Sequence, residues 1–280
     1  MASTFRFGTV GSPLSTPAYP GGTVGGIRRT AALGLNCLEL AWVRSVRVSP
    51  AACEAIRTEA QSRGVALSVH APYFINLNAD TSEWPNSRRR LMDAAAAGHL
   101  AGATDIVLHP GSYFGRPPEE VLRLAVPRLK ECVRELRDRG NPVILRPETM
   151  GKQALLGSLD DVLALSAATD GVLPCVDFAH LHARTGAVNS LDEWRQVLNA
   201  IRRGLGADGL LRMHIHLSGI EYTDRGERKH LAFREADLNY KELLAALNEA
   251  GCSGRILCES PILEKDAVLL RNAWRRLASA

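Results

Sequence analysis

Short apolar runs of strand length alternate with helix-like segments eight times along this chain, and that alternation limits the possible folds more than any other feature. The strand-like runs are 5–10, 37–42 and 211–217, with five others ending at His70, His109, Glu148, Asp177 and near Glu259. Helical segments are expected over 22–33, 49–62, 87–100, 117–140, 158–167, 190–203, 237–249 and 265–277. Ser49 reads as an N-cap, and the longest helix opens on Pro117-Pro118 and stops at Gly140. Eight strand–helix units in 280 residues predict a single (β/α)8 TIM barrel domain over 1–280. A doubly wound open sheet is the alternative, but no G-x-G-x-x-G loop follows the first strand. The stretch from Ser218 to Ala236 is expected to be irregular, and a loop of that length in a compact domain is usually functional.

The chemistry follows the same beat. His70, His109, Glu148, Asp177, His216 and Glu259 are separated by steps of 39, 39, 29, 39 and 43 residues. Each step is about one strand–helix unit, and each residue closes a strand. In a barrel those ends share one rim, so side chains spread over the sequence would converge on one pocket. Imidazoles and carboxylates together suit zinc, manganese or iron. Carboxylates in the middle of such a set can bridge two ions, an arrangement that serves phosphoryl displacement. A lone strand-end histidine is usually structural; six metal-type residues in phase point to a metal centre. His99, in a helix, and His182, beyond His180, keep the structural reading. Strand alternation turns Arg146 and Glu39 inward, and a buried arginine requires a carboxylate, so an Arg146–Glu39 pair is expected. His214 shares the inward face with His216 and is the competing ligand.

Composition bounds the rest. Hydrophobic residues are 46% and charged residues 23%, as in a soluble protein with a sizeable core. A formal charge of +4 permits a polyanionic partner without demanding one. The six cysteines never form C-x-x-C, so they read as small buried side chains in a reducing compartment. Neither a signal peptide at Met1–Arg6 nor an apolar run of roughly 20 residues is evident. A cytoplasmic protein without a membrane partner is expected.

Six motifs, in order, carry a resemblance: His70-Ala71-Pro72-Tyr73-Phe74-Ile75-Asn76-Leu77, His109-Pro110-Gly111-Ser112, Pro147-Glu148-Thr149, Asp177-Phe178-Ala179-His180, His216-Leu217-Ser218-Gly219 and Glu259-Ser260-Pro261. From about Val65 to Asp266 the chain resembles the endonuclease IV family of abasic-site DNA repair enzymes, within the xylose-isomerase-like barrels. The resemblance implies His70, His109 and Glu148 as ligands of a first Zn2+. It implies Glu148, Asp177, His216 and Glu259 as ligands of a second, with Glu148 bridging, and His180 as a ligand of a third. Mn2+ is the alternative metal. Tyr73 and Phe74 match the pair that this family pushes into DNA, against the alternative of loop packing on the rim. Arg44 or Arg47 corresponds to the family's inserting arginine. One departure stands out. Where the family completes its third site with Asp-x-His, this chain has Gly226-Glu227-Arg228-Lys229-His230. Glu227 replaces the aspartate, Lys229 takes the histidine's place and, as a cation, cannot ligate, and His230 is one position off. The third metal is therefore absent, weak, or rebuilt from Glu227 and His230, and Lys229 alternatively contacts a phosphate.

The resemblance implies a phosphodiesterase cleaving duplex DNA 5′ to abasic sites, leaving a 3′-hydroxyl, with Glu148 and two metals orienting hydroxide; a monomer is expected. A one-metal sugar isomerase or epimerase, and a catalytically silent DNA-binding homologue, are the rivals.

Overall fold

The structure, a computed structural model, describes residues 5–278. Met1–Thr4 of the segment read for a leader, and Ser279–Ala280 within the expected 1–280 boundary, lie outside the described residues. In chain order the elements are β1 (Phe5–Val10), α1 (Gly22–Ala32), β2 (Cys37–Ala41), α2 (Pro50–Arg63), β3 (Ala66–His70), α3 (Trp84–Leu100), β4 (Ala103–Leu108), α4 (Pro118–Asp138), β5 (Ile144–Pro147) and α5 (Leu159–Ala167). They continue with β6 (Cys175–Asp177), α6 (Phe178–Thr185), α7 (Leu191–Leu211), β7 (Met213–Leu217), β8 (Gly219–Thr223), β9 (Gly226–Leu231), α8 (Tyr240–Glu249), β10 (Gly254–Cys258) and α9 (Glu264–Ala278).

Eight parallel strands join in the order β5-β4-β3-β2-β1-β10-β7-β6. Isolated parallel bridges Leu145–Val172 and Glu148–Cys175 bring the β5 and β6 edges together, so the ring is nearly closed. This is the barrel the sequence predicts.

Strand parity decides what fills each side of the ring. The outward residues Val69, Ile106, Leu108 and Leu145 are fully buried against the helices, as are Val176, Ile215 and Leu217 in a second apolar cluster around Trp194. Polar side chains occupy the other face: Glu39, Ser68, His70, Asp105, Arg146, Glu148, Asp177, His214 and His216 are all buried. A polar barrel interior is expensive unless every charge finds a partner, and the pairings below are what make it viable.

Several expectations need correction. Helix α6 was not foreseen; its sequence Phe178-Ala179-His180-Leu181-His182 begins on the strand-end aspartate itself, whose side chain caps it by accepting from His180 N at 2.8 Å. The stretch 218–236 is not irregular but a β8–β9 hairpin, because Ile220 and Leu231 pack while Glu221, Arg228 and Lys229 face out. Helix α7 runs on past residue 203 through a break at Gly206 (φ 68°). The expected Arg146–Glu39 pair does not form. Arg146 sits one tier lower and reaches the neighbouring strand's Asp105 at 2.6 Å.

Candidate metal centre

The foot of the pocket is set by β2. Glu39, with no exposure, accepts from Ser68 Oγ at 2.7 Å and lies 2.8 Å from His214 Nε2 and 2.9 Å from His216 Nε2. The His216 contact lies off the hydrogen-bonding direction. Burial opposes ionisation of Glu39, yet His216 and His214 outweigh it and hold the carboxyl well below the usual range. Burial also pushes His214 down to about 4 in spite of Glu39, so that ring is neutral. His214 is thus committed to Glu39, whereas His216 turns its other nitrogen, Nδ1, upward to 3.2 Å from Glu148 Oε1 and 3.6 Å from Glu259 Oε2.

Glu148 stands at the centre of the set. Its Oε2 lies 3.3 Å from both His70 Nε2 and His109 Nε2. Its Oε1 lies 3.2 Å from His216 Nδ1 and 3.5 Å from His180 Nδ1. The two oxygens therefore face two different histidine sets. Burial disfavours the charged form, but His216, His109 and His180 prevail and the carboxyl is held well below its ordinary value. For His70 and His180 the balance reverses. Burial works against protonation, and Glu148, joined at His180 by Asp177, raises both. The field in this pocket favours cations.

Backbone carbonyls fix the rings. His70 Nδ1 is 2.9 Å from Ala71 O, His180 Nδ1 is 2.9 Å from Thr149 O, and His230 Nδ1 is 3.2 Å from Glu259 O. A proton donated to a carbonyl leaves the lone pair on Nε2, and in all three rings Nε2 points into the pocket. This is the outer-shell orientation that metal-binding histidines use.

His180 Nε2 and His230 Nε2 are 3.3 Å apart, with Glu227 Oε2 3.4 Å from the former. The one-residue offset of His230 has a structural answer. Tyr222 pairs with Glu227 and Glu221 with Lys229, so Arg228 has no partner and forms a β-bulge. The bulge resets the alternation, placing Glu227 and His230 on the inner face. Arg228 and Lys229 turn outward to Glu221 at 2.6 and 3.1 Å. Lys229 is exposed and bound to a carboxylate, away from His180. Gly151 permits this closeness: a Cβ there would lie 2.6 Å from Glu227 Oε2 and 3.2 Å from His180 Cδ2. Gly111 does the same behind His109; its φ is +126° and a Cβ would lie 2.0 Å from Asn76 Oδ1.

The donor set fits divalent metal. Among the described residues four overlapping groups, His70–His109–Glu148, Glu148–Asp177–His216–Glu259, Asp177–His180–His230 and Cys175–His214–His216, each bring their ligand atoms within 4.8 Å of one another. Buried Glu148 Oε2, Asp177 Oδ2 and Glu227 Oε2 have no hydrogen-bond partner, which a polar site of this depth tolerates only if something else binds them. Tyr73 stacks on His109 (ring centres 4.9 Å apart, 25° between planes) and stands edge-on to His70. Burial pushes its hydroxyl up to about 12. Phe74 is 65% exposed beside it, over a groove of about 430 Å³ that also takes in Arg90 and Ser112. Arg44 and Arg47 are exposed on the loop after β2. His182 keeps a structural role, 3.1 Å from Asp237. Sequence reasoning did not find Ser68 or Thr149; each is an ordinary hydroxyl that gains meaning from its neighbour across the ring.

A ring of eight parallel strands with imidazoles and carboxylates at their C-terminal ends defines a class of TIM barrels equipped to hold divalent metal. A sequence profile of the xylose isomerase-like TIM barrel family matches residues 27–277, and the chain belongs to that family and, within it, to the endonuclease IV proteins. It is 36% identical to an uncharacterized protein of Methanocaldococcus jannaschii over 97% of each chain. It is 30% identical to endonuclease 4 of Thermus thermophilus over 70% of this chain and 71% of that protein. Among solved structures, a D-tagatose 3-epimerase-like protein superposes with a TM-score of 0.73 at 19% identity, covering 98% of this chain and 97% of the other. At that identity the likeness speaks to fold alone.

Proposed function

We propose that this chain is a metal-dependent phosphodiesterase that nicks duplex DNA 5′ to abasic sites, acting as one barrel domain. The observation that carries the proposal is the central position of Glu148, whose two oxygens face separate histidine sets. His70, His109 and Glu148 would hold one ion, and Glu148, Asp177, His216 and Glu259 a second. Glu227, His180 and His230 would complete a third site. When bound, divalent ions supply charge neutralisation at the scissile phosphate and acidify water. Zn2+ suits the imidazole-rich set, with Mn2+ an alternative.

The residues do the positioning. Glu148, kept ionised by the surrounding histidines, orients the attacking water as a hydrogen-bond acceptor, and the proton of that water is released to solvent. Glu39 seats the ring of His216 from below by a 2.9 Å electrostatic contact, and the Ala71, Thr149 and Glu259 carbonyls fix His70, His180 and His230 by hydrogen bonds. Tyr73 and Phe74 enter the duplex where the base is missing. Arg44 and Arg47 hold backbone phosphates, giving salt-sensitive affinity. Lys229, bound to Glu221, contributes only if it exchanges that partner for a phosphate.

The test is an abasic-site duplex with Zn2+ or Mn2+. Wild type should nick it, Glu148→Gln should not, and Phe74→Ala should bind it less tightly. Absence of nicking with every metal tried sinks the assignment. A second reading, a one-metal sugar epimerase, is favoured by the Glu148–Asp177–His216–Glu259 group, which is a complete single-metal set. Elemental analysis separates the two: one ion per chain supports the epimerase, two or three the nuclease.

A further inference from the structure

The end of the barrel opposite the metal centre holds a second built site. A cavity of about 670 Å³ opens between the N-terminal ends of β4, β5, β7 and β10, marked by Ala103, Ile144, Met213 and Gly254. Five arginines line it, Arg6, Arg57, Arg146, Arg212 and Arg255, with Asp105 the only carboxylate in its wall. That carboxylate is fully committed: Oδ1 lies 2.6 Å from Arg146 Nε, and Oδ2 lies 2.8 Å from Arg255 Nη2 and accepts from Thr104 Oγ1 at 2.6 Å. Two buried or half-buried guanidinium groups thus share one negative charge. Nearer the solvent, and among the described residues, Arg57 and Arg212 have no carboxylate partner and Arg6 reaches only the carbonyls of Asn36 and Gly64 at 3.5 and 3.4 Å.

A concave, partly desolvated site with excess guanidinium charge selects an anion, and the planar fork of arginine matches phosphate oxygens in pairs. The other wall is apolar, made by Pro142, Ile144 and Leu211. The volume falls in the usual range for small-molecule sites, with room beyond a lone inorganic phosphate. We propose that this cavity binds a phosphorylated small molecule of about nucleotide size, its phosphate on Arg57, Arg212 and Arg6 and its remainder against the apolar wall. The proposal is independent of the reading of the metal centre, since no residue is shared.

The experiment is calorimetric titration of the full-length protein with AMP and, separately, inorganic phosphate. It compares wild type, the double variant Arg57→Ala/Arg212→Ala, and His109→Ala as a control for phosphate bound at the metal centre. Arg57 and Arg212 are exposed, so the double variant should fold, which an unchanged melting temperature verifies. One saturable site for AMP is expected in wild type, weakened by about tenfold or more in the double variant, with phosphate binding more weakly than AMP. Absence of saturable binding overturns the proposal. So does binding that the arginine pair leaves unchanged, including binding lost only in His109→Ala. AMP no tighter than phosphate overturns the nucleotide-size part, leaving a simple anion site.

Discussion

Glu39→Gln is the sharpest perturbation, because it changes almost no volume and one charge. The carboxylate meets His216 Nε2 at one oxygen, and His214 Nε2 and Ser68 Oγ at the other. Glutamine has only one oxygen, so its amide must face an imidazole N–H or the serine hydroxyl. If it faces His216, that ring is pushed to the other tautomer and its proton moves to Nδ1, the nitrogen 3.2 Å from Glu148. A protonated nitrogen cannot ligate. Loss of such an orienting partner costs about 10–100-fold in metal affinity. The mispaired buried donor should cost about 1–3 kcal/mol of fold stability as well. Competition against a chromophoric chelator reads the affinity, and urea unfolding reads the stability. Ser68→Ala is the control: it removes one hydrogen bond, leaves the charge and both His contacts, and should leave metal affinity unchanged. Wild-type metal affinity in Glu39→Gln would show that His216 is not oriented from below, and the ligand assignment of β7 would fail with it.

Three further outcomes are expected. Deleting Arg228 should preserve the His180–His230–Glu227 cluster, since an unbulged strand also turns residues two apart to one face; metal content falling as far as in His230→Ala refutes the bulge argument. Arg184→Met should lower unfolding free energy by about 2 kcal/mol, because that guanidinium donates to the carbonyls of Met150, Lys152, Gln153 and Leu155 beside the pocket; urea unfolding with no change in midpoint refutes it. For Asp105, burial opposes ionisation but Arg146 and Arg255 outweigh it, so the folded pKa lies below the ordinary 3.8. Its contribution is therefore complete above that value and is lost as pH falls below it. Asp105→Asn should destabilise by about 3–5 kcal/mol at neutral pH, and the gap from wild type should narrow in acid; a gap independent of pH in urea titrations contradicts the pairing.

The barrel and its upper rim were legible because both depend on period. Apolar runs mark strands, and a ligand-type residue at the end of each lands on one rim whatever the loops do. Three things were not legible. Helix α6 is too short for its pattern to stand out from the strand before it. The β8–β9 hairpin lacks alternation across Arg228, since the bulge that serves the site breaks the period that would reveal the strand. The partner of Arg146 depended on height along the barrel axis. Parity turns both Glu39 and Asp105 inward; the register pairs Arg146 with Val107 and Asp105 with Ile144, and the guanidinium reaches back along the β4–β5 seam to Asp105. A side chain's face follows from the sequence, whereas its tier follows from the register of the closed ring.

That tier structure gives the interior its electrical order. At the bottom, Arg146 and Arg255 share Asp105, leaving excess positive charge toward the N-terminal cavity. In the middle, Glu39 is matched by Ser68 and by two imidazoles. At the top, Glu148, Asp177, Glu259 and Glu227 pair with imidazoles and, among the described residues, with no lysine or arginine, leaving excess negative charge. Neither excess can be relieved by moving a side chain, because closing the ring fixes every inward position against its neighbours. On the two sites proposed above, relief comes from outside the chain, by a cation at one mouth and an anion at the other. The Glu39–His214 contact links the middle tier to the lower one. Substitutions at the lower tier should therefore alter metal affinity little unless they also displace His214, whose register partner on β10 is Arg255.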